Sequence, residues 1–70
     1  LVAYLHTQDP RRIYRASRSL RFGMVAVNRT KVTGAPIPFG GMKQSGLGRE
    51  GSRFGLEAFT EIKYVCRDWA

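Results

Sequence analysis

The sequence predicts an α/β fold, on three observations. Two short apolar runs, residues 1–5 (LVAYL) and 24–27 (MVAV), read as strands. Between them, Asp9-Pro10 opens a segment whose apolar residues recur at helical spacing. After them comes residues 38–50 (PFGGMKQSGLGRE), which holds Gly40, Gly41, Gly46 and Gly48 without low-complexity repetition. Glycine supplies backbone angles and close approaches that other residues cannot, so this stretch has a fixed shape to hold.

Each element has its own justification. The run at 1–5 is almost continuously apolar, as expected of a parallel strand covered on both faces. His6 closes it. A histidine can shuttle protons, but no cysteine or acid stands near His6, so it reads as structural. Asp9 suits the N-cap and Pro10 the first helical position. Ile13, Ala16, Ser17 and Leu20 then share one face, with Arg11, Arg15 and Arg18 on another. Gly23 is expected to end the helix with a left-handed cap.

Strand, helix and strand within residues 1–28 make a βαβ unit with a right-handed crossover, one that needs neighbouring strands to complete its sheet. Residues 28–37 form a loop at the carboxyl end of the second strand, the position where open α/β folds bind ligands. Gly46, Gly48 and Gly51 spell G-x-G-x-x-G. A dinucleotide fingerprint needs a strand before it and a helix and strand after it. The preceding residues 42–45 are MKQS and only residues 52–70 follow, so the pattern is rejected.

Residues 51–60 read as a short helix carrying Phe54, Leu56, Ala58 and Phe59. Residues 61–67 alternate, with Ile62, Tyr64 and Cys66 on one face and Lys63, Val65 and Arg67 on the other, which predicts a strand with one better-buried side. Its free edge is a liability unless something pairs with it. Cys66 has no adjacent histidine or glycine turn to activate it, so it reads as a strand cysteine and not a nucleophile.

Composition narrows the function classes. The 70 residues are 43% hydrophobic and carry a net charge of +7. Five arginines, Arg11, Arg12, Arg15, Arg18 and Arg21, supply most of the excess. They read as a solvated helix face, without the repeated aromatic platforms of single-strand binders, so no nucleic-acid partner is expected. No apolar run reaches membrane-spanning length, and no signal-peptide pattern is present. The single cysteine, Cys66, excludes an internal disulfide and fits a reducing, cytoplasmic location. Leu1 stands inside an apolar run, so the sequence reads as part of a longer chain. The alternative is a free-standing small basic binding or adaptor module without catalysis.

The run PFGGMKQSGLGREG, with GMVAVN at 23–28 before it and FGLEAFTEIKYV at 54–65 after it, resembles the C-terminal signature of the aldehyde dehydrogenases. The likeness extends over essentially all of the sequence, and in pattern it is most similar to the succinate-semialdehyde branch of that family. It implies that residues 1–60 are the C-terminal part of the catalytic domain and residues 61–70 the terminal strand of an oligomerisation arm. It implies a parent enzyme that oxidises an aldehyde to an acid with NAD or NADP, through a cysteine nucleophile, a base and a cofactor crevice that all lie upstream. No catalytic residue, metal ligand or cofactor site is therefore expected in this segment itself. Its partners would be a small aldehyde, the rest of the parent chain and a second subunit.

The resemblance also assigns roles. Residues 28–37 match the anchor loop at the substrate entrance, with Lys31, Val32 and Thr33 at the mouth and Phe39 as a wall of the aldehyde pocket. Succinate-semialdehyde dehydrogenases carry a serine at the Thr33 position, whose hydroxyl helps hold the substrate's far carboxylate. The hydroxyl is kept here as threonine, while Arg29 and Lys31 depart from the usual pattern, and each taken singly reads first as a solvated loop charge. Arg49, Glu50 and Glu61 are read as structural or interface residues. For Glu50 a proton relay stands beside a salt bridge that holds the glycine loop to the following helix. Lys43 and Gly46 could offer backbone carbonyls to a monovalent cation, a feature of some members, though no metal site is assigned to the segment.

Overall fold

The computed structural model of this chain describes residues 1–69. Its regular core is the expected strand–helix–strand unit. Strand β1 (Val2–Leu5) and strand β2 (Met24–Val27) pair in parallel, in the register Val2↔Met24 to Leu5↔Val27. Helix α1 (Pro10–Ser19) connects them. The Asp9 side chain accepts from the Arg11 amide at 2.9 Å, and the Asp9 carbonyl accepts the first helical bond from Ile13 at 3.0 Å. That is the N-cap geometry expected of Asp-Pro.

Two details of this unit differ from expectation. The helix stops at Ser19, and Leu20 already has extended backbone with ψ 122, so Gly23 is no left-handed cap. Gly23 is required for a different reason. A Cβ on it would lie 2.1 Å from the Gly40 carbonyl oxygen and 2.5 Å from the Gly41 Cα, so the glycine loop rests directly on its backbone. Nor is β1 covered on both faces, because helices cover the faces of a parallel sheet and among the described residues α1 is the one α-helix. Tyr4 is exposed and the other β1 residues are half-buried. Among the described residues the buried hydrophobic side chains are Met24 and Ala26, two apart on one face of β2. Ile13, Ala16 and Leu20 of the helix region are half-buried, while Ser17 and the arginines face solvent.

Downstream, the glycine stretch closes on itself. Phe39 and Glu50 form an antiparallel bridge, with the Phe39 amide donating to the Glu50 carbonyl at 2.9 Å and the Glu50 amide returning at 2.7 Å. Within the loop is a single 3₁₀ turn, Lys43–Ser45. The expected short helix appears as a 3₁₀ helix, Arg53–Phe59, and not as an α-helix. Ser52 caps it by accepting from the Phe54 amide at 3.1 Å, and the Gly55 amide is shared between the Gly51 and Ser52 carbonyls. A 3₁₀ run of this length is uncommon because its bonds are poorly aligned. Gly51 and Gly55 weaken α propensity at its start.

The strand expected at residues 61–67 does not form. Ile62, Tyr64 and Val65 are all largely exposed, so the two faces are not distinguished by burial. The physical reason is that a strand requires a partner for its amides and carbonyls, and alternation alone supplies none.

Candidate functional site

The loop at the carboxyl end of β2 begins at Asn28, whose φ of 55 is left-handed. Its amide donates to the Leu5 carbonyl at 2.8 Å, one step past the last paired strand residues. Its side chain completes a reciprocal pair with Thr7: the Thr7 amide donates to Oδ1 at 2.9 Å, and Nδ2 donates to the Thr7 carbonyl at 2.8 Å. Further on, the Ile37 amide donates to the Gly34 carbonyl and the Ser52 amide to the Ala35 carbonyl, each at 3.0 Å. The loop is thus strapped to the segment that follows the glycine stretch.

The residues singled out for the substrate fall into two neighbouring clefts. Thr33 and Phe39 line one of about 320 Å³, together with Gly34, Ile37, Glu50 and Gly51. Arg29 and Val32 line another of about 280 Å³, along β2 and beside Lys31. Ile37 borders both. Sequence reasoning passed over it, although one branched apolar side chain between Pro36 and Pro38 in a polar loop is a readable sign of a packing contact. Thr33 and Arg29 are exposed, and Val32 and Phe39 half-buried. The chain therefore brings the hydroxyl and the aromatic wall together and leaves the basic residues on the adjoining surface.

Glu50 and Arg49 act differently from the ion-pair reading. Glu50 holds the loop through its backbone bridge to Phe39, and its side chain is exposed at the cleft. Arg49 is half-buried, and its Nη1 donates to the Gly41 carbonyl at 2.7 Å and to the Gly48 carbonyl at 2.8 Å. Those carbonyls lie inside the glycine loop, so one guanidinium pins both of its arms. Among the described residues neither carbonyl accepts a turn or loop amide, and the guanidinium supplies both with charge-assisted hydrogen bonds. Glu61 is exposed, beyond the 3₁₀ helix, and lines neither cleft.

A dinucleotide does not fit the Gly46–Gly48–Gly51 pattern. The fingerprint needs a strand feeding an α-helix whose N-terminus meets the pyrophosphate. Here a 3₁₀ turn precedes it and a 3₁₀ helix follows. The Lys43 carbonyl already accepts from the Gly46 amide at 3.2 Å. Among the described residues no cluster of three or more His, Cys, Asp or Glu could hold a metal ion, and Cys66 is exposed. What the arrangement offers chemically is a hydroxyl and an aromatic ring lining one cleft, with two basic residues lining its neighbour.

Comparison with known proteins places this geometry in a class. Residues 1–65 match the aldehyde dehydrogenase family, and the chain belongs to it. Among individual relatives, it is 56% identical over 66 residues to a non-phosphorylating aspartate-semialdehyde dehydrogenase of Halomonas elongata, covering 94% of this chain and 13% of that one. It is 50% identical to the mitochondrial succinate-semialdehyde dehydrogenase of Rattus norvegicus, with the same coverage. With a 3-sulfolactaldehyde dehydrogenase of Pseudomonas putida the identity is 53%, over 94% of this chain and 14% of that one. A crystal structure of succinate-semialdehyde dehydrogenase from Burkholderia pseudomallei superposes with a TM-score of 0.86 at 45% identity, covering 94% of this chain and 14% of that one. This chain thus spans a small part of the length of the relatives it matches.

Proposed function

We propose that this chain is the C-terminal, substrate-entrance part of an NAD(P)-dependent aldehyde dehydrogenase whose substrate is a short aldehyde with a distal anionic group, succinate semialdehyde being oxidised to succinate. The observation that carries it is the shared cleft of Thr33 and Phe39. The relatives' names support it: aspartate semialdehyde and succinate semialdehyde each carry a carboxylate and sulfolactaldehyde a sulfonate. In this reading residues 28–37 are the anchor loop. Phe39 excludes water and aligns the carbon chain of the aldehyde. The Thr33 hydroxyl donates to the far carboxylate, while Arg29 and Lys31 make the entrance positive and raise the local concentration of an anionic substrate.

The nicotinamide cofactor would supply the hydride acceptor, and the glycine pattern in this segment has no part in holding it. The exposed Ile62, Tyr64, Val65 and Trp69 support a second role for residues 61–70, as the strand that pairs with a neighbouring subunit, with Glu61 at its edge.

Thr33→Val in the full-length protein tests the substrate assignment, since it keeps the shape and removes the donor. A charge-assisted hydrogen bond is worth about 1.5–3 kcal/mol when desolvated. The expected result is a loss of roughly ten- to a hundredfold in kcat/KM for succinate semialdehyde. Pentanal, which never used the bond, should be nearly unaffected. Equal losses for both aldehydes would reduce Thr33 to a shape residue and remove the local support for an anionic substrate.

A further inference from the structure

The geometry points to Asn28 as the positioning residue of the substrate loop: its carboxamide clasp on Thr7 and its left-handed backbone set the direction in which residues 29–37 leave the sheet, and through it the place of Thr33. This rests on the anchor-loop reading above for its link to catalysis. The clasp stands where strand pairing ends. The Asn28 amide makes a bond to Leu5, and beyond it the side chain takes over the role of a peptide group. It offers Thr7 one acceptor and one donor, at 2.9 and 2.8 Å, as a further rung of a parallel ladder would. Meanwhile the Asn28 backbone, at φ 55, has already turned away. The pairing is extended by a side chain while the main chain is freed to form a loop.

Few residues can do both. Asparagine tolerates the left-handed region better than other side-chain-bearing residues, and its amide presents a donor and an acceptor from one short stem. Glycine would keep the backbone angle and lose the clasp. Aspartate would keep the acceptor, lose the donor, and set a negative oxygen against the Thr7 carbonyl.

Thr7 is itself a junction, because its Oγ1 accepts from the Asp9 amide at 3.2 Å where α1 begins. The clasp therefore ties together the end of β1, the helix start and the loop. At its far end the loop is held by the Gly34–Ile37 turn and the Ser52–Ala35 strap. Among the described residues no backbone–backbone bond holds residues 29–33 between those anchors. Among the described residues no hydrogen bond is made by Thr33 itself, so its position is set by the two ends of the loop together, the direction given at Asn28 and the turn that begins at Gly34.

The test uses the full-length protein with Asn28→Gly and Asn28→Asp, each alone and combined with Thr33→Val. Asn28→Gly should raise KM for succinate semialdehyde about tenfold with kcat within about twofold, and leave pentanal unchanged, the pattern of lost binding without lost chemistry. In that background Thr33→Val should cost less than about threefold, since residues acting through one another are not additive. A merely structural asparagine would lower kcat for both aldehydes and leave the Thr33→Val penalty at full size, and that result overturns the proposal.

A crystal structure of unliganded Asn28→Gly gives a readout independent of activity. Thr33 should shift by more than about 1 Å while β1 and β2 superpose on the parent, as expected when discrete anchors hold a loop. An unmoved Thr33 overturns the positioning role whatever the substrate is. A shifted Thr33 in an enzyme that never preferred anionic aldehydes upholds the positioning role and sinks the substrate assignment.

Discussion

At the scale of single residues, the glycines divide by what surrounds them. Gly23 lies under the glycine loop, where an added Cβ would meet backbone atoms of Gly40 and Gly41 at 2.1 and 2.5 Å. Backbone cannot swing aside as a side-chain tip can, so Gly23→Ala must push the two segments apart. Overpacking of that kind costs about 3 kcal/mol, and the full-length variant should melt several degrees lower or be recovered poorly. Gly34 is the control. A Cβ there would meet the Ile37 Cδ1 at 3.2 Å, the movable end of a side chain, at a backbone angle open to any residue. Gly34→Ala should leave the melting temperature within a degree or so of the parent. If both variants melt alike, the packing of the glycine loop on Gly23 is not what holds it.

At the scale of elements, the strand–helix–strand unit was legible because each part carries a local signal. Asp9-Pro10 specifies a helix start whatever surrounds it, and the β2 run MVAV places Met24 and Ala26 on one face. Elements that depend on distant partners were not legible in the same way. Alternation at residues 61–67 signals a strand only where another strand receives it. The left-handed backbone at Asn28, Lys43 and Ser52 leaves no mark in residue type beyond asparagine's tolerance. A salt bridge is expected of Glu50, but it is its neighbour Arg49 that ties the glycine loop together, by reaching two of its carbonyls. Arg49→Met should accordingly open the loop, at a cost of about 2 kcal/mol for hydrogen bonds from a charged donor. Arg49→Lys, with donors on a point charge and no fork, should recover part of that loss. Thermal unfolding of the two full-length variants decides it. If Met and Lys are equally mild, Arg49 is a surface charge and not a pin.

At the scale of the whole molecule, the chain has very little interior. Its radius of gyration is 17.3 Å and its longest extent 64 Å. A compact domain of this length would have a radius of about 11 Å. Among the described residues the buried hydrophobic ones are Met24 and Ala26, while Leu56, Phe59, Ile62, Tyr64 and Trp69 are all more than 70% exposed. Apolar burial is the main favourable term in folding, and so small a core cannot offset the chain entropy of seventy residues. The relatives it matches are several times longer, the chain covering 13–14% of their length. The isolated 70-residue chain should therefore unfold without a cooperative thermal transition. Its parallel strand pair and apolar tail should drive self-association that grows with concentration in sedimentation velocity. It should reduce neither NAD nor NADP with succinate semialdehyde, since no cysteine lines either cleft. A sharp melting transition in a monodisperse monomer would show that the β1–α1–β2 unit and the pinned glycine loop suffice as a domain. Cofactor reduction by the pure chain would place the chemistry inside these residues after all.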